Sequence, residues 1–175
     1  MRGVAKLVQL KASSPLGLIC FDWHVLPCAL GPAGVGATKH EGDGATPRGL
    51  WPSRGVLYRP DKVGRLRTSL PLKPLKPSDG WCDAAGDRNY NRCVELPYAA
   101  SAESLWRQDS LYDIIVILGF NDRPRVSGKG SAIFMHIARP GYQPTAGCVA
   151  LKRDDLLRLI ENPWPIRWLD TRPPG

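Results

Sequence analysis

Glycine and proline interrupt this chain along its whole length. There are 18 glycines and 17 prolines among 175 residues, a larger share than in ordinary proteins. Both residues disfavour the interior of a helix, so the composition argues against long helices and favours short strands joined by many turns. We therefore predict a mostly β fold, a sandwich or partly closed barrel with about two short helices.

The length of the chain fits one domain. We predict an N-terminal segment over residues 1–16 and a single domain over residues 17–175. No apolar stretch is long enough for a transmembrane helix, and no secretory signal is predicted at the start.

Several segments have the composition of strands or helices. Residues 111–120 are apolar and β-branched apart from Asp113, which is typical of a central strand. Alternation within 131–137 places Ile133, Met135 and Ile137 on one face and Phe134 and His136 on the other. Further strands are predicted within 18–30, 56–59 and 164–169, and short helices over 101–108 and 154–161.

The net charge of +8 is concentrated in one segment. Residues 54–76, the basic loop, contain seven basic residues and one acid, and residues 71–77 read PLKPLKP, which predicts an extended conformation. Such a loop is either a solvated surface or a contact with a polyanion. Nucleic acid is the weaker partner because Tyr58 is the only aromatic residue in the loop and no nucleic-acid-binding motif follows. The other candidate partner is an anionic cell-wall, envelope or membrane surface.

Five cysteines make an odd number, so at least one is free unless it pairs between chains. Cys20 and Cys28 lie in an apolar run and are expected to be buried. Cys82 and Cys93 flank a polar loop and could be bridged in an oxidising compartment. No pair has the spacing of a zinc ribbon, and we predict no metal and no cofactor.

Cys148 and His136 form the best candidate for chemistry. A cysteine nucleophile needs a group that accepts its proton, usually an imidazole, and backbone N–H groups that stabilise the oxyanion. Gly147 directly before Cys148 allows a tight turn that exposes sulfur and amides together. The loop over 138–146 can turn the chain so that Cys148 faces His136.

Residues 136–151, HIARPGYQPTAGCVAL, resemble the active-site segment of YkuD-type L,D-transpeptidases. That family has a strand histidine, a loop, and a Ser/Thr-x-Gly-Cys motif, matched here by Thr145 to Cys148. Residues 41–49 resemble the family's upstream Thr-Pro-x-Gly turn, and 80–92 and 118–122 are similar to a branch with a compact catalytic domain. The resemblance spans roughly residues 17–160.

The resemblance implies an acyl transfer on peptidoglycan. Cys148 would be acylated by a tetrapeptide stem with release of D-alanine, His136 would move the proton, and the N–H groups of Gly147 and Cys148 would form the oxyanion hole. An amine acceptor would then complete a 3–3 cross-link or anchor a protein. The resemblance also implies a periplasmic or cell-envelope location; a monomer is expected.

Two positions depart from the family pattern. Ala146 and Ala150 stand where the family commonly has His and Arg, so the usual carboxylate fork is missing. Candidate substitutes are Arg139, Arg88 and Arg92. Substrate-positioning roles are predicted for the polar residues Asn121, Tyr90, Asn91, Arg139 and Thr145.

Three alternatives stay open from the sequence. With water as acceptor, the same site would be an L,D-carboxypeptidase. A cysteine amidase of the papain-like type would use Cys20 or Cys28 as nucleophile, because its cysteine precedes its histidine. A non-catalytic wall-binding module would depend on the basic loop alone.

Overall fold

A computed structural model describes residues 3–12 and 14–173. This part of the chain forms fourteen strands, two α-helices and a 3₁₀ turn at Pro140–Tyr142. The strands are β1 (Val4–Gln9), β2 (Leu16–Phe21), β3 (His24–Ala29), β4 (Val35–Gly36), β5 (Thr46–Pro47), β6 (Leu50–Tyr58), β7 (Leu72–Pro74), β8 (Asp79–Cys82), β9 (Arg92–Glu95), β10 (Ala102–Ser104), β11 (Ile114–Leu118), β12 (Phe134–Ile137), β13 (Val149–Leu151) and β14 (Trp168–Asp170). The helices are α1 (Pro60–Val63) and α2 (Arg153–Ile160).

Eight of these strands close into a barrel. Their order is β11-β12-β13-β3-β2-β1-β14-β6, and β6 pairs back with β11. β7 pairs in parallel with the C-terminal end of β6. β10, β8 and β9 form a separate three-stranded sheet. The predicted mostly β architecture is therefore confirmed, and its form is a closed barrel.

Two hydrophobic cores lie on opposite faces of the barrel wall. The inner core fills the barrel and includes Met135 and Ile137 of β12. The outer core lies between the wall and the three-stranded sheet and includes Phe134 and Ile115. β11 is buried on both faces, which explains its unbroken apolar sequence. The predicted alternation along β12 is also confirmed.

Helix α2 closes the inner core. Leu156 is fully buried there together with Leu159 and Ile160, which follow it by three and four residues and so lie on the same face of the helix. Asp154 and Asp155 lie in the first turn, where negative charge favours a helix N-terminus. Neither helix of the described residues is long and apolar enough to cross a membrane.

Two predictions of local organisation are wrong. Residues 4–9 of the predicted N-terminal segment 1–16 form β1, a barrel strand between β2 and β14, so they belong to the barrel and not to a separate segment. Residues 101–108 do not form a helix: Ala102–Ser104 pairs with β8, and this long-range pairing overrides the local helix signal. The helix that was not predicted is α1, inside the basic loop.

Candidate active site

The register of β12 and β13 brings the candidate catalytic residues together. The strands are parallel, with Met135 opposite Val149 and His136 opposite Ala150. Cys148, one residue before β13, therefore lies beside Phe134 at the start of β12. The Phe134 N–H donates to Cys148 Sγ at 3.3 Å. His136 and Cys148 line the same cleft, which has a volume of about 400 Å³.

A tight turn presents Cys148 to this cleft. Gly147 has a φ of +127°, and a Cβ at this position would lie 2.7 Å from the Ala45 carbonyl oxygen, so only glycine fits. The Thr145 hydroxyl accepts from the Gly147 N–H at 3.1 Å and donates to the Cys148 carbonyl at 2.7 Å. Thr145 thus lines the cleft and also holds the turn.

The geometry around His136 fixes its tautomer. Nδ1 lies 2.9 Å from the Ile137 carbonyl oxygen, which can only accept, so Nδ1 carries the proton and Nε2 has the free lone pair. Burial lowers the pKa of His136 to about 4, and Arg139 and Arg107 add to this effect. The Tyr112 ring packs edge-on against the imidazole, with centroids 5.3 Å apart. A neutral imidazole with an available Nε2 is a proton acceptor.

The Cys148 thiol is held by two backbone groups. Sγ accepts from the Phe134 N–H and donates to the Ala132 carbonyl oxygen at 3.1 Å. Burial raises the pKa of Cys148 to about 12, although the Phe134 N–H opposes this. The pair is therefore a neutral thiol and a neutral imidazole in this structure, not a thiolate–imidazolium pair.

Three further side chains of the cleft were not predicted. The Tyr112 hydroxyl donates to Glu103 Oε1 at 2.8 Å, and the Arg107 guanidinium lies 5.3 Å from the Tyr112 ring centroid. Burial raises the pKa of Glu103, partly offset by Tyr112 and Arg107. Nothing in the local sequence indicates this group, because Glu103 reaches the site through the pairing of β10 with β8.

Glu41 and Gly42 also contribute to the wall of the cleft. The Glu41 carboxylate accepts from the Tyr90 hydroxyl. Tyr90 also accepts from the Gly130 N–H at 2.9 Å. Burial, followed by Glu41, raises the pKa of Tyr90 to about 12. Tyr90, predicted to position substrate, thus lies behind the cleft wall and holds Glu41.

Asn91 and Asn121 do not line the cleft. Asn91 Oδ1 accepts from Trp81 Nε1 and the Ala132 N–H, and its Nδ2 donates to the Phe120 and Asn121 carbonyls. The Asn121 side chain bonds in the same way to the backbone of residues 126 and 130. Both residues have positive φ, which asparagine tolerates well. Their side-chain amides thus connect the backbone at residues 120–121, 126 and 130–132.

Comparison with models of protein families matches residues 23–163 to YkuD, the L,D-transpeptidase catalytic domain. The match covers most of the chain and includes the outer core and the cleft. The chain belongs to this family. No curated protein and no solved structure matches the chain.

In this L,D-transpeptidase domain, the two departures from the family pattern have different surroundings. Ala150 is buried in β13, directly opposite His136 of the neighbouring strand β12. Ala146 lines the cleft. The arginines that line the cleft are Arg107 and Arg139. Arg88 and Arg92, the other predicted substitutes, are not among its lining residues.

The remaining cysteines do not lie in the cleft. Cys28 is buried in the inner core, and burial raises its pKa to about 12. Cys82 and Cys93 are free thiols; Cys82 is opposite Arg92 and Cys93 is opposite Trp81, so the two sulfurs project from opposite faces of the sheet. The possible Cys82–Cys93 bridge is therefore absent.

In the described part of the chain, no group of three or more His, Cys, Asp or Glu residues could hold a metal.

Much of the charge of the basic loop is neutralised internally. Four of its side chains form ion pairs: Arg54 with Asp122, Arg59 with Asp61, Lys62 with Asp113 and Lys73 with Asp79. Arg59 is buried and also stacks on Trp106 at 3.7 Å. The predicted extended conformation of residues 71–77 is found at Leu72–Pro74, which form β7.

Proposed function

We propose that this domain catalyses acyl transfer on peptidoglycan stem peptides, with Cys148 as nucleophile and His136 as general base. The observation that carries the proposal is the parallel register of β12 and β13, which lines one cleft with the thiol and an imidazole whose Nε2 is free. Membership of the L,D-transpeptidase family supplies the reaction class.

The first half-reaction forms a thioester. Substrate binding turns the Cys148 S–H from the Ala132 carbonyl towards His136 Nε2, which takes the proton as sulfur attacks the carbonyl before the terminal D-alanine of a tetrapeptide stem. The tetrahedral oxyanion accepts from the N–H groups of Cys148 and Gly147, and the Gly147 N–H leaves Thr145 to do so. The C–N bond then breaks, and His136 returns the proton to the departing amine.

The second half-reaction uses an amine of another stem peptide. This amine attacks the thioester carbonyl, gives its proton to His136, and expels the Cys148 thiolate, which recovers the proton. The product is a 3–3 cross-link. Arg107 already pairs with Asp109, at 2.8 and 2.6 Å. Arg139 lines the cleft and has no carboxylate partner within 4.0 Å among the described residues, and we propose that it takes the role of the arginine replaced by Ala150. The proposed location is the periplasm or cell envelope.

Two alternatives share the same cleft. Water as acceptor gives an L,D-carboxypeptidase, and a protein amine gives protein anchoring. The amidase that would use Cys20 or Cys28 is less favoured, because neither residue lines the cleft with His136.

Intact-mass measurement after incubation with a carbapenem or a tetrapeptide-stem muropeptide tests the proposal. We expect one covalent adduct that is absent in Cys148→Ala and retained in the matched Cys20→Ala and Cys93→Ala variants. His136→Ala should slow adduct formation at least about 10²-fold. An adduct that persists in Cys148→Ala would refute the assignment, and analysis of muropeptide products separates cross-linking from trimming.

A further inference from the structure

A second pocket lies outside the catalytic cleft and shares no lining residue with it. Its volume is about 390 Å³, within the usual range for small-molecule sites. Its apolar lining includes the edge of Trp81, 8% exposed, and the partly exposed Ile117, with Phe120 and Phe134 buried beneath. The pocket therefore offers an apolar surface that can cover part of a small molecule.

The polar part of this pocket is strongly positive. Four arginines line it with one aspartate, Asp122. Arg54 already holds Asp122 through two hydrogen bonds, at 2.7 and 3.3 Å. Within residues 3–12 and 14–173, Arg92, Arg123 and Arg125 have no carboxylate partner within 4.0 Å. The pocket thus has three guanidinium groups without an ion-pair partner.

One of these arginines, Arg125, is hydrogen-bonded to the backbone. Arg125 Nε donates to the Asn91 carbonyl oxygen at 3.1 Å, which leaves its terminal nitrogens available. Partial desolvation lowers the pKa of Arg125, Arg92 lowers it further, Asp122 opposes this, and Arg123 adds to the lowering, as expected where like charges converge. A bound anion would relieve this repulsion, and guanidinium forks suit phosphate and carboxylate geometry.

We propose that this pocket binds a small organic anion. The phosphate or carboxylate group pairs with Arg92, Arg123 and Arg125, and the apolar body packs against Trp81 and Ile117. An inorganic anion would use only the arginines and would leave the apolar lining uncovered. The proposal does not depend on the chemistry of Cys148.

Isothermal titration calorimetry with phenyl phosphate and with benzoate tests this site. We expect saturable 1:1 binding of at least one of these probes, retained in Cys148→Ala and in Arg139→Gln. Inorganic phosphate should bind at least about ten times more weakly, because it buries no apolar surface. The difference between the two organic probes shows which anionic group the pocket prefers.

Two double variants provide the matched comparison. Arg92→Gln/Arg123→Gln should weaken binding of the organic probe at least about tenfold. Arg65→Gln/Arg67→Gln removes the same number of charges from exposed positions of the basic loop and should leave binding within about twofold. Equal weakening in both variants, loss of binding in Arg139→Gln, equal affinity for inorganic phosphate, or no binding of either organic probe would each overturn the proposal.

Discussion

Replacing Asn91 with alanine tests whether this residue supports the fold or contacts substrate. Its amide makes four hydrogen bonds: it accepts from Trp81 Nε1 and the Ala132 N–H at 3.0 and 3.1 Å, and donates to the Phe120 and Asn121 carbonyls at 3.0 and 2.9 Å. The substitution leaves two buried donors without a partner, at about 1–3 kcal/mol each. Alanine at a positive φ adds about 1 kcal/mol.

We therefore expect the free energy of unfolding to fall by about 3–7 kcal/mol in Asn91→Ala. Urea denaturation followed by tryptophan fluorescence measures this value. Asn89→Ala is the matched control, because the Asn89 side chain donates a single hydrogen bond, to the Tyr98 hydroxyl, and should cost about 1 kcal/mol.

The kinetic constants of the same variants decide between the two roles. If Asn91→Ala changes the unfolding free energy no more than the control does, and instead raises KM for a stem peptide, then Asn91 contacts substrate and its assignment to the fold is wrong.

Three other predictions concern the cleft and the barrel. Iodoacetamide should modify Cys148 about a hundredfold more slowly at pH 7 than it modifies N-acetylcysteine, with a rate that still rises above pH 9; a plateau near neutral pH, measured by peptide mass spectrometry, would contradict a neutral thiol. Gly147→Ala should reduce turnover more than tenfold, because its Cβ meets the Ala45 carbonyl; unchanged steady-state kinetics would refute this. Hydrogen bonds from Arg172 lower the pKa of Asp170 despite burial, so its contribution to stability is present above about pH 4 and lost as the pH falls below it. Asp170→Asn should reduce the acid dependence of the unfolding free energy, and an unaltered pH profile would disprove this contribution.

The parts of the site that could be predicted depend on local sequence. Alternation in β12 places His136 on the face opposite Met135 whatever its neighbours are, because successive side chains of a strand alternate. The Gly147–Cys148 turn is likewise a local signal. The family resemblance rests on these same residues, and it is confirmed by the family match.

The parts that could not be predicted depend on long-range pairing. Ala102–Ser104 has a local helix signal and becomes a strand only because β8 lies beside it. That pairing also brings Glu103 to the cleft, where it meets Tyr112. Asn91 resembles a polar loop residue in the sequence, and its four partners are known only once distant segments have come together.

The hydrogen bond from the Cys148 thiol to the Ala132 carbonyl also affects how this cysteine meets oxidants. The thiolate, and not the protonated thiol, attacks peroxide. A sulfur that keeps its proton in a hydrogen bond to a backbone carbonyl therefore resists conversion to sulfenic acid. In the proposed mechanism this proton passes to His136 only when a peptide carbonyl is in place. We therefore expect sensitivity to oxidation to be confined to the brief interval of turnover, so that the nucleophile survives between substrates.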